Sequence, residues 1–103
     1  MSVLLEFAMF PTDKGSHVSE SVSHVIATIR ESGYPYQLTA MGTLIETESI
    51  EQATEMLNAC YRVLAPDAER VYTSIKMDIR KGGGGRMQQK VEAVKKHIGD
   101  VNV

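Results

Sequence analysis

The sequence predicts one α+β domain whose elements follow the order β-α-β-β-α-β, with a further helix at the end of the chain. Three observations lead to this prediction. Two segments, one near each end, alternate between an apolar face and a more polar face, as strands do. Two other segments carry apolar residues at three- and four-residue spacing, as amphipathic helices do. The length of 103 residues is sufficient for one such core and too short for two.

The first strand and the first helix are predicted from the N-terminal third of the chain. Val3 to Phe10 has one uniformly apolar face and one mixed face. Pro11 to Gly15 interrupts this pattern, and Ser16 is predicted to cap the next helix with its hydroxyl. The apolar stripe of that helix begins at Val18, and Gly33 supplies a left-handed stop.

A hairpin and a second helix are predicted in the middle of the chain. The runs Tyr36 to Met41 and Thr43 to Thr47 are both rich in β-favouring residues and flank a glycine. Ser49 begins a capping box, after which apolar residues recur at helical spacing until Pro66 ends the helix. We expect an antiparallel pair of strands followed by an amphipathic helix.

The C-terminal third contains the clearest strand of the chain, Arg70 to Arg80, which alternates strictly. Residues 1–80 form the predicted core, residues 81–86 a flexible glycine-rich linker, and residues 87–99 a C-terminal helix. Right-handed crossovers place both earlier helices on one face of the sheet. The sequence therefore predicts a ferredoxin-like βαββαβ two-layer sandwich with an additional C-terminal helix.

The other face of this sheet is predicted to be partly apolar. Alternation places Leu4 and Phe10 of the first strand and Tyr72 of the last strand on it. Exposed together, they form the kind of patch that is associated with partner surfaces. We therefore expect self-association through a sheet face or a sheet edge.

Composition argues against several classes of protein. The net charge of -2 provides no basic field for nucleic acid, and no run approaches the length of apolar residues that a membrane span needs. The N-terminal segment lacks the basic start of a secretion signal. A single cysteine allows no disulfide within the chain, so we expect a cytoplasmic protein.

Catalytic motifs are absent from the sequence, and we expect a protein that is not an enzyme and uses no cofactor or metal. His17, Glu20 and His24 share one side of the first helix, but this side lies opposite the apolar stripe and is predicted to face solvent. Cys60 lies on the apolar stripe of the second helix and is predicted to be a core thiol. The glycine run lacks the lysine and hydroxyl residue of a phosphate loop.

The hairpin region, Tyr34 to Glu46, combines aromatic, hydroxyl, amide and carboxylate side chains. Such mixtures line small polar-aromatic pockets, although a solvated hairpin has the same composition. From the residues alone, both interpretations remain open.

Three ordered blocks, Tyr36 to Glu46, Ala68 to Arg80 and Ser16 to Val22, resemble the family of small thiamine-binding proteins related to hydroxymethylpyrimidine/thiamine-binding proteins. The resemblance runs through nearly the whole chain. It implies a ferredoxin-like subunit, assembly as a dimer of dimers, and binding of thiamine or its hydroxymethylpyrimidine moiety without turnover.

By position, the resemblance implies ligand-binding residues on the first helix, the hairpin and the last strand: Ser19, Thr39, Met41, Thr43, Glu46, Thr73 and Lys76. In this hypothesis Glu46 accepts a hydrogen bond from an aminopyrimidine, and Thr43 and Ser19 orient the ring. Met41, together with Phe7 or Met9, packs against the ring. The chain departs from the family at Ala40, where the family commonly has proline, and at Ile79, where it often has an acid.

Two other interpretations of the protein's function remain open. The chain could be a homo-oligomeric regulatory or scaffold module with a different ligand or none, in which case Glu6, Tyr72 and Lys76 are occupied by subunit contacts and no cavity separates the sheet from the first helix. A metal-dependent enzyme that uses the histidine and glutamate side chains of the first helix ranks last. Lys76 is predicted to contact either an anion or another subunit.

Overall fold

A computed structural model describes all 103 residues as one four-stranded antiparallel sheet with helices on both faces. The strands are β1 (Ser2–Pro11), β2 (Tyr36–Leu38), β3 (Thr43–Thr47) and β4 (Val71–Arg80), in the spatial order β2-β3-β1-β4. The helices are α1 (Val18–Ser32), α2 (Ile50–Leu64) and α3 (Arg86–Ile98). The predicted ferredoxin-like sandwich with an additional C-terminal helix is confirmed.

The core lies between the sheet and the pair formed by α1 and α2. Alternate residues of β1 point into it, and the cluster comprises Val3, Leu5, Phe7, Met9, Val25, Ile29, Ile45, Ala53, Met56, Cys60 and Leu64. Burial of this apolar surface provides the main driving force for folding. The helix α3 packs on the opposite side, which we call the outer face of the sheet, where Met87 and Val91 lie over Leu4 and Leu44.

The two ladders of β1 differ in length, and this difference shapes the molecule. On one side β1 pairs with β4 along its whole length, from Ser2 opposite Arg80 to Pro11 opposite Val71. On the other side it pairs with β3 only as far as Phe7 opposite Thr43. Beyond Phe7, β1 therefore has a strand neighbour on one side only.

The ends of two helices test the predicted capping residues. Ser49 caps α2 as predicted, since its Oγ accepts a hydrogen bond from the Gln52 N–H at 3.1 Å. The predicted cap of α1 at Ser16 is wrong. A 3-10 turn over Gly15–His17 precedes this helix, which begins at Val18 without a side-chain cap. None of the three helices has the length and apolarity that a membrane span requires.

Candidate functional site

A cavity of about 250 Å³ separates the tip of the β2–β3 hairpin from the first half of α1, and we call it the hairpin cavity. It is mostly apolar and is lined by Phe7, Ala8, Met9, Phe10, Val22, Val25, Ile26, Leu38, Thr39, Ala40, Met41, Gly42 and Thr43. None of these side chains is titratable. The space exists because β3 starts at Thr43 while β1 continues to Pro11, so the sheet lacks a strand at this corner.

The backbone of Met9 borders this missing corner. The Thr12 N–H donates to the Arg70 carbonyl at 2.9 Å, which places the hydrogen-bonding groups of even-numbered residues of β1 on the β4 side. Odd-numbered residues therefore face the hairpin side, as Phe7 does when it pairs with Thr43. At Met9 the hairpin side has no strand partner, although the residue is only 8% exposed.

The hairpin turn is held by its own hydrogen bonds. The Thr39 hydroxyl donates to the Gly42 carbonyl at 2.7 Å and accepts from the N–H groups of Gly42 at 3.1 Å and Met41 at 3.3 Å. The first hairpin strand consequently ends at Leu38 and not at Met41 as predicted. A side chain on Gly42 would bring its Cβ to 3.1 Å from the Phe7 carbonyl oxygen, so glycine allows the turn to approach β1 closely.

Thr43 supplies the one side-chain hydroxyl of the cavity that the protein leaves free. The residue lies on the helix-facing side of β3 and is 5% exposed. Its hydroxyl forms no side-chain hydrogen bond within the protein, whereas that of Thr39 is fully used by the turn. Met41, at 89% exposure, lies at the mouth. An apolar slot with one free hydroxyl can hold a flat polar ring.

Ser19 and Thr73 lie outside the hairpin cavity. Ser19 is exposed on α1, one turn before Val22, which does line the cavity. Thr73 lies on β4, opposite Met9, and β1 separates it from the hairpin. Of the predicted binding residues, the structure brings together Thr39, Met41 and Thr43.

Lys76 lies on the outer face of the sheet, away from the hairpin cavity. It forms an ion pair with Glu6 of the same chain at 2.8 Å, and its side chain is 81% exposed. The hydrogen bond from Lys76 to Glu6 raises the pKa of the lysine. Both residues line a separate cavity of about 380 Å³ beneath α3. The lysine predicted to contact an anion or another subunit thus has a partner within its own chain.

Glu46 attaches α3 to the sheet and does not line the hairpin cavity, and its predicted contact with an aminopyrimidine stays a prediction. The residue is 6% exposed, and its carboxylate accepts hydrogen bonds from the N–H groups of Arg86 and Met87, each at 3.1 Å, and from the Ser2 hydroxyl at 2.9 Å. Burial raises the pKa of Glu46, but the N–H groups of Met87 and Arg86 and the hydroxyl of Ser2 outweigh it, so this pKa lies below its ordinary value.

Arg86, the last residue of the predicted glycine-rich linker, is bound to the sheet. Arg86 is 3% exposed, and its guanidinium donates to the Ser2 carbonyl at 2.9 Å and pairs with the Asp78 carboxylate at 3.0 Å. The helix starts at this residue, one position earlier than predicted. Because Arg86 and Glu46 both bond the first turn of α3 to the sheet, the helix has a defined place on the outer face.

The remaining reactive side chains lie apart from the cavity. Glu20 and His24 are exposed on α1, and His17 is exposed in the 3-10 turn before it, so the predicted exposure is confirmed. The chain contains no group of three or more His, Cys, Asp or Glu side chains placed to hold a metal ion. Cys60 is fully buried in the core, as predicted, and burial raises its pKa to about 11. Its thiol is therefore protonated at neutral pH.

Sequence and structure comparisons relate the chain to proteins of bacteria and archaea. A protein of Mycobacterium bovis named as a UPF0045 protein is 36% identical over 98 residues, which cover 95% of this chain and 96% of that protein. The crystal structure of a hypothetical protein of Methanocaldococcus jannaschii superposes with a TM-score of 0.77 at 28% identity, covering 92% of this chain and 97% of that one.

A third protein, from Thermotoga maritima, is named as a candidate for thiamine biosynthesis or salvage. It superposes with a TM-score of 0.79 over 91% of this chain and 99% of that one, and at 21% identity it shows the shared fold. The family described as thiamine-binding protein matches residues 5–95, which include every residue that lines the hairpin cavity. The chain therefore belongs to the thiamine-binding protein family.

Proposed function

We propose that the protein binds thiamine or its hydroxymethylpyrimidine moiety in the hairpin cavity. One observation carries this proposal: a member of the thiamine-binding family has an apolar slot of about 250 Å³ in which the Thr43 hydroxyl has no protein partner. Apolar side chains of α1 and the hairpin bury the ring, while the hydroxyl supplies a directional contact. The remainder of thiamine extends past Met41 at the mouth.

Binding without turnover is part of this proposal. Its support is the chemistry of the lining, which offers hydroxyl groups and apolar surface but no side chain that titrates or acts as an activated nucleophile. The family match is to proteins described by binding and not by a reaction. We also propose a location in the cytoplasm, where the single cysteine stays reduced.

The proposal is tested by titration calorimetry of the purified chain with thiamine and with hydroxymethylpyrimidine. We expect dissociation constants in the range of about 1 to 100 µM, because ring burial and a few hydrogen bonds supply this affinity. Thr43→Val keeps the side-chain shape, removes the free hydroxyl and is expected to weaken binding about 5- to 10-fold.

Thr73→Val is the matched control, since it makes the same change on β4 outside the cavity and is expected to leave the affinity unchanged. Recovery of unaltered ligand after prolonged incubation tests the absence of turnover. The absence of heat at millimolar thiamine and millimolar hydroxymethylpyrimidine would overturn the proposal.

The alternative of a scaffold module without a ligand is less favoured. It predicts that no cavity lies between the sheet and α1, whereas the hairpin cavity lies there. Self-association itself is supported by β4, a ten-residue strand at the edge of the sheet. Tyr72, Ile75 and Ile79 on this strand are 54%, 47% and 48% exposed. We propose that β4 pairs with a second copy of the chain.

Light scattering on the native chain is expected to give a particle mass that is a multiple of the monomer mass. The substitution Ile75→Lys is expected to lower this particle mass. The exposed Ile98, at 70% exposure on α3, provides the control, and Ile98→Lys should leave the mass unchanged. A monomeric native chain would refute pairing through β4.

A further inference from the structure

The most unusual polar groups in the hairpin cavity belong to the backbone. The register of β1 places the N–H and the carbonyl of Met9 on the side where β3 has ended, and neither group is bonded to the hairpin. Met9 is nevertheless 8% exposed. Buried backbone donors and acceptors are paired in the great majority of cases, so this edge is a site at which another molecule can complete the pairing.

The missing partner can be located from the ladder itself. If β3 continued in the register that joins Phe7 to Thr43, residue 41 would lie opposite Met9. Met41 is instead part of the turn, where its N–H donates to the Thr39 hydroxyl at 3.3 Å. An antiparallel partner residue would have offered Met9 one donor and one acceptor side by side.

A 4-aminopyrimidine offers the same two groups in the same plane. Its exocyclic amino group is an N–H donor, and the adjacent ring nitrogen is an acceptor. The apolar side chains of Val22, Val25 and Ile26 on α1 provide a surface against which one face of such a ring can pack.

We propose that the Met9 backbone recognises the aminopyrimidine edge of the ligand: its carbonyl accepts from the amino group and its N–H donates to the adjacent ring nitrogen. This inference rests on the proposed function of the same cavity. The ligand takes the place that residue 41 would hold in a longer ladder, and the Thr43 hydroxyl, on the neighbouring strand, makes a further contact.

Ligand analogues test this recognition by calorimetry. Hydroxymethylpyrimidine is compared with the analogue in which hydrogen replaces the 4-amino group, which leaves the Met9 carbonyl without a donor. We expect the affinity to fall about 10- to 100-fold. A thiamine analogue with a pyridinium ring in place of the thiazolium keeps the aminopyrimidine edge and is expected to bind within about threefold of thiamine.

A loss of less than about twofold for the deaminated analogue would overturn recognition by Met9 and leave binding in the cavity intact. Failure of every compound to bind would overturn the proposed function itself. The two failures are therefore distinguishable.

Hydrogen exchange of backbone amides, followed by NMR, reports on the protein side of the contact. Saturation with hydroxymethylpyrimidine is expected to slow exchange of the Met9 amide at least about 10-fold. The Ala8 amide is bonded to β4 with or without ligand and serves as the control. A bound complex in which the Met9 amide exchanges as fast as in the free protein would contradict the inference.

Discussion

Replacing Glu46 by alanine is expected to detach α3 from the sheet and to lower the free energy of unfolding by about 2–4 kcal/mol. The substitution removes the acceptor for three donors, the N–H groups of Arg86 and Met87 and the hydroxyl of Ser2. It also removes a negative charge from the N-terminal end of a helix, where the backbone favours one. Urea denaturation followed by circular dichroism measures the loss.

Glu48→Ala is the matched control, because this neighbouring carboxylate is exposed and its side chain accepts none of those hydrogen bonds. We expect the control to change stability by less than about 0.5 kcal/mol. Equal stabilities of the Glu46→Ala and Glu48→Ala variants would show that α3 is held by its apolar contacts alone.

The pH dependence of the stability that Glu46 contributes follows from the lowered pKa of this carboxyl. Because the pKa is lower in the folded than in the unfolded chain, the unfolded chain binds the proton more readily and stability rises with pH. The contribution is complete above the unfolded pKa and is lost as pH falls through the folded one. The stability difference between the wild type and Glu46→Gln should therefore shrink as the pH is lowered below about 5.

Replacing Val22 by tryptophan is expected to abolish binding of thiamine and hydroxymethylpyrimidine while the fold is retained. Val22 is half-buried on α1 and lines the hairpin cavity, so an indole at this position occupies the space proposed for the ring. Calorimetry should detect no binding at ligand concentrations that saturate the wild type, and urea denaturation should show a cooperative transition.

Ser23→Trp places the same side chain on the next residue of α1, which is exposed and does not line the cavity. This variant is expected to bind both ligands as the wild type does. Normal affinity of Val22→Trp, with normal affinity of Ser23→Trp, would place the ligand elsewhere on the protein.

Sequence periodicity predicted best those elements in which apolar residues recur regularly because one side of the element packs against the core. β4 and α2 have long, regular patterns, and the structure places them within a residue of the expected positions. Local hydrogen bonds account for the errors at segment ends. The hydroxyl of Thr39 ends β2 early, and a 3-10 turn displaces the predicted cap at Ser16. Such competing local contacts leave little trace in hydrophobic periodicity.

The candidate site was predictable in part. The hairpin was identified as a source of binding residues, and Thr39, Met41 and Thr43 meet at one cavity. The role of Glu46 was not predictable, since it depends on a helix 40 residues later in the chain. The free edge at Met9 had a signal in the sequence, because the predicted first strand is longer than the hairpin strand that pairs with it.

Pro11, at the end of β1, has a consequence for how selective that edge is. It lies on the hairpin side in the same register as Met9, and proline has no N–H to donate. A strand from another molecule that paired with Met9 would meet Pro11 as the next residue of β1 on this side. Because Pro11 has no N–H, pairing beyond Met9 lacks a donor and growth of a sheet between molecules is disfavoured. A heterocycle the size of a single residue needs only one such pair. The geometry of this corner therefore favours the proposed small ligand over an added strand.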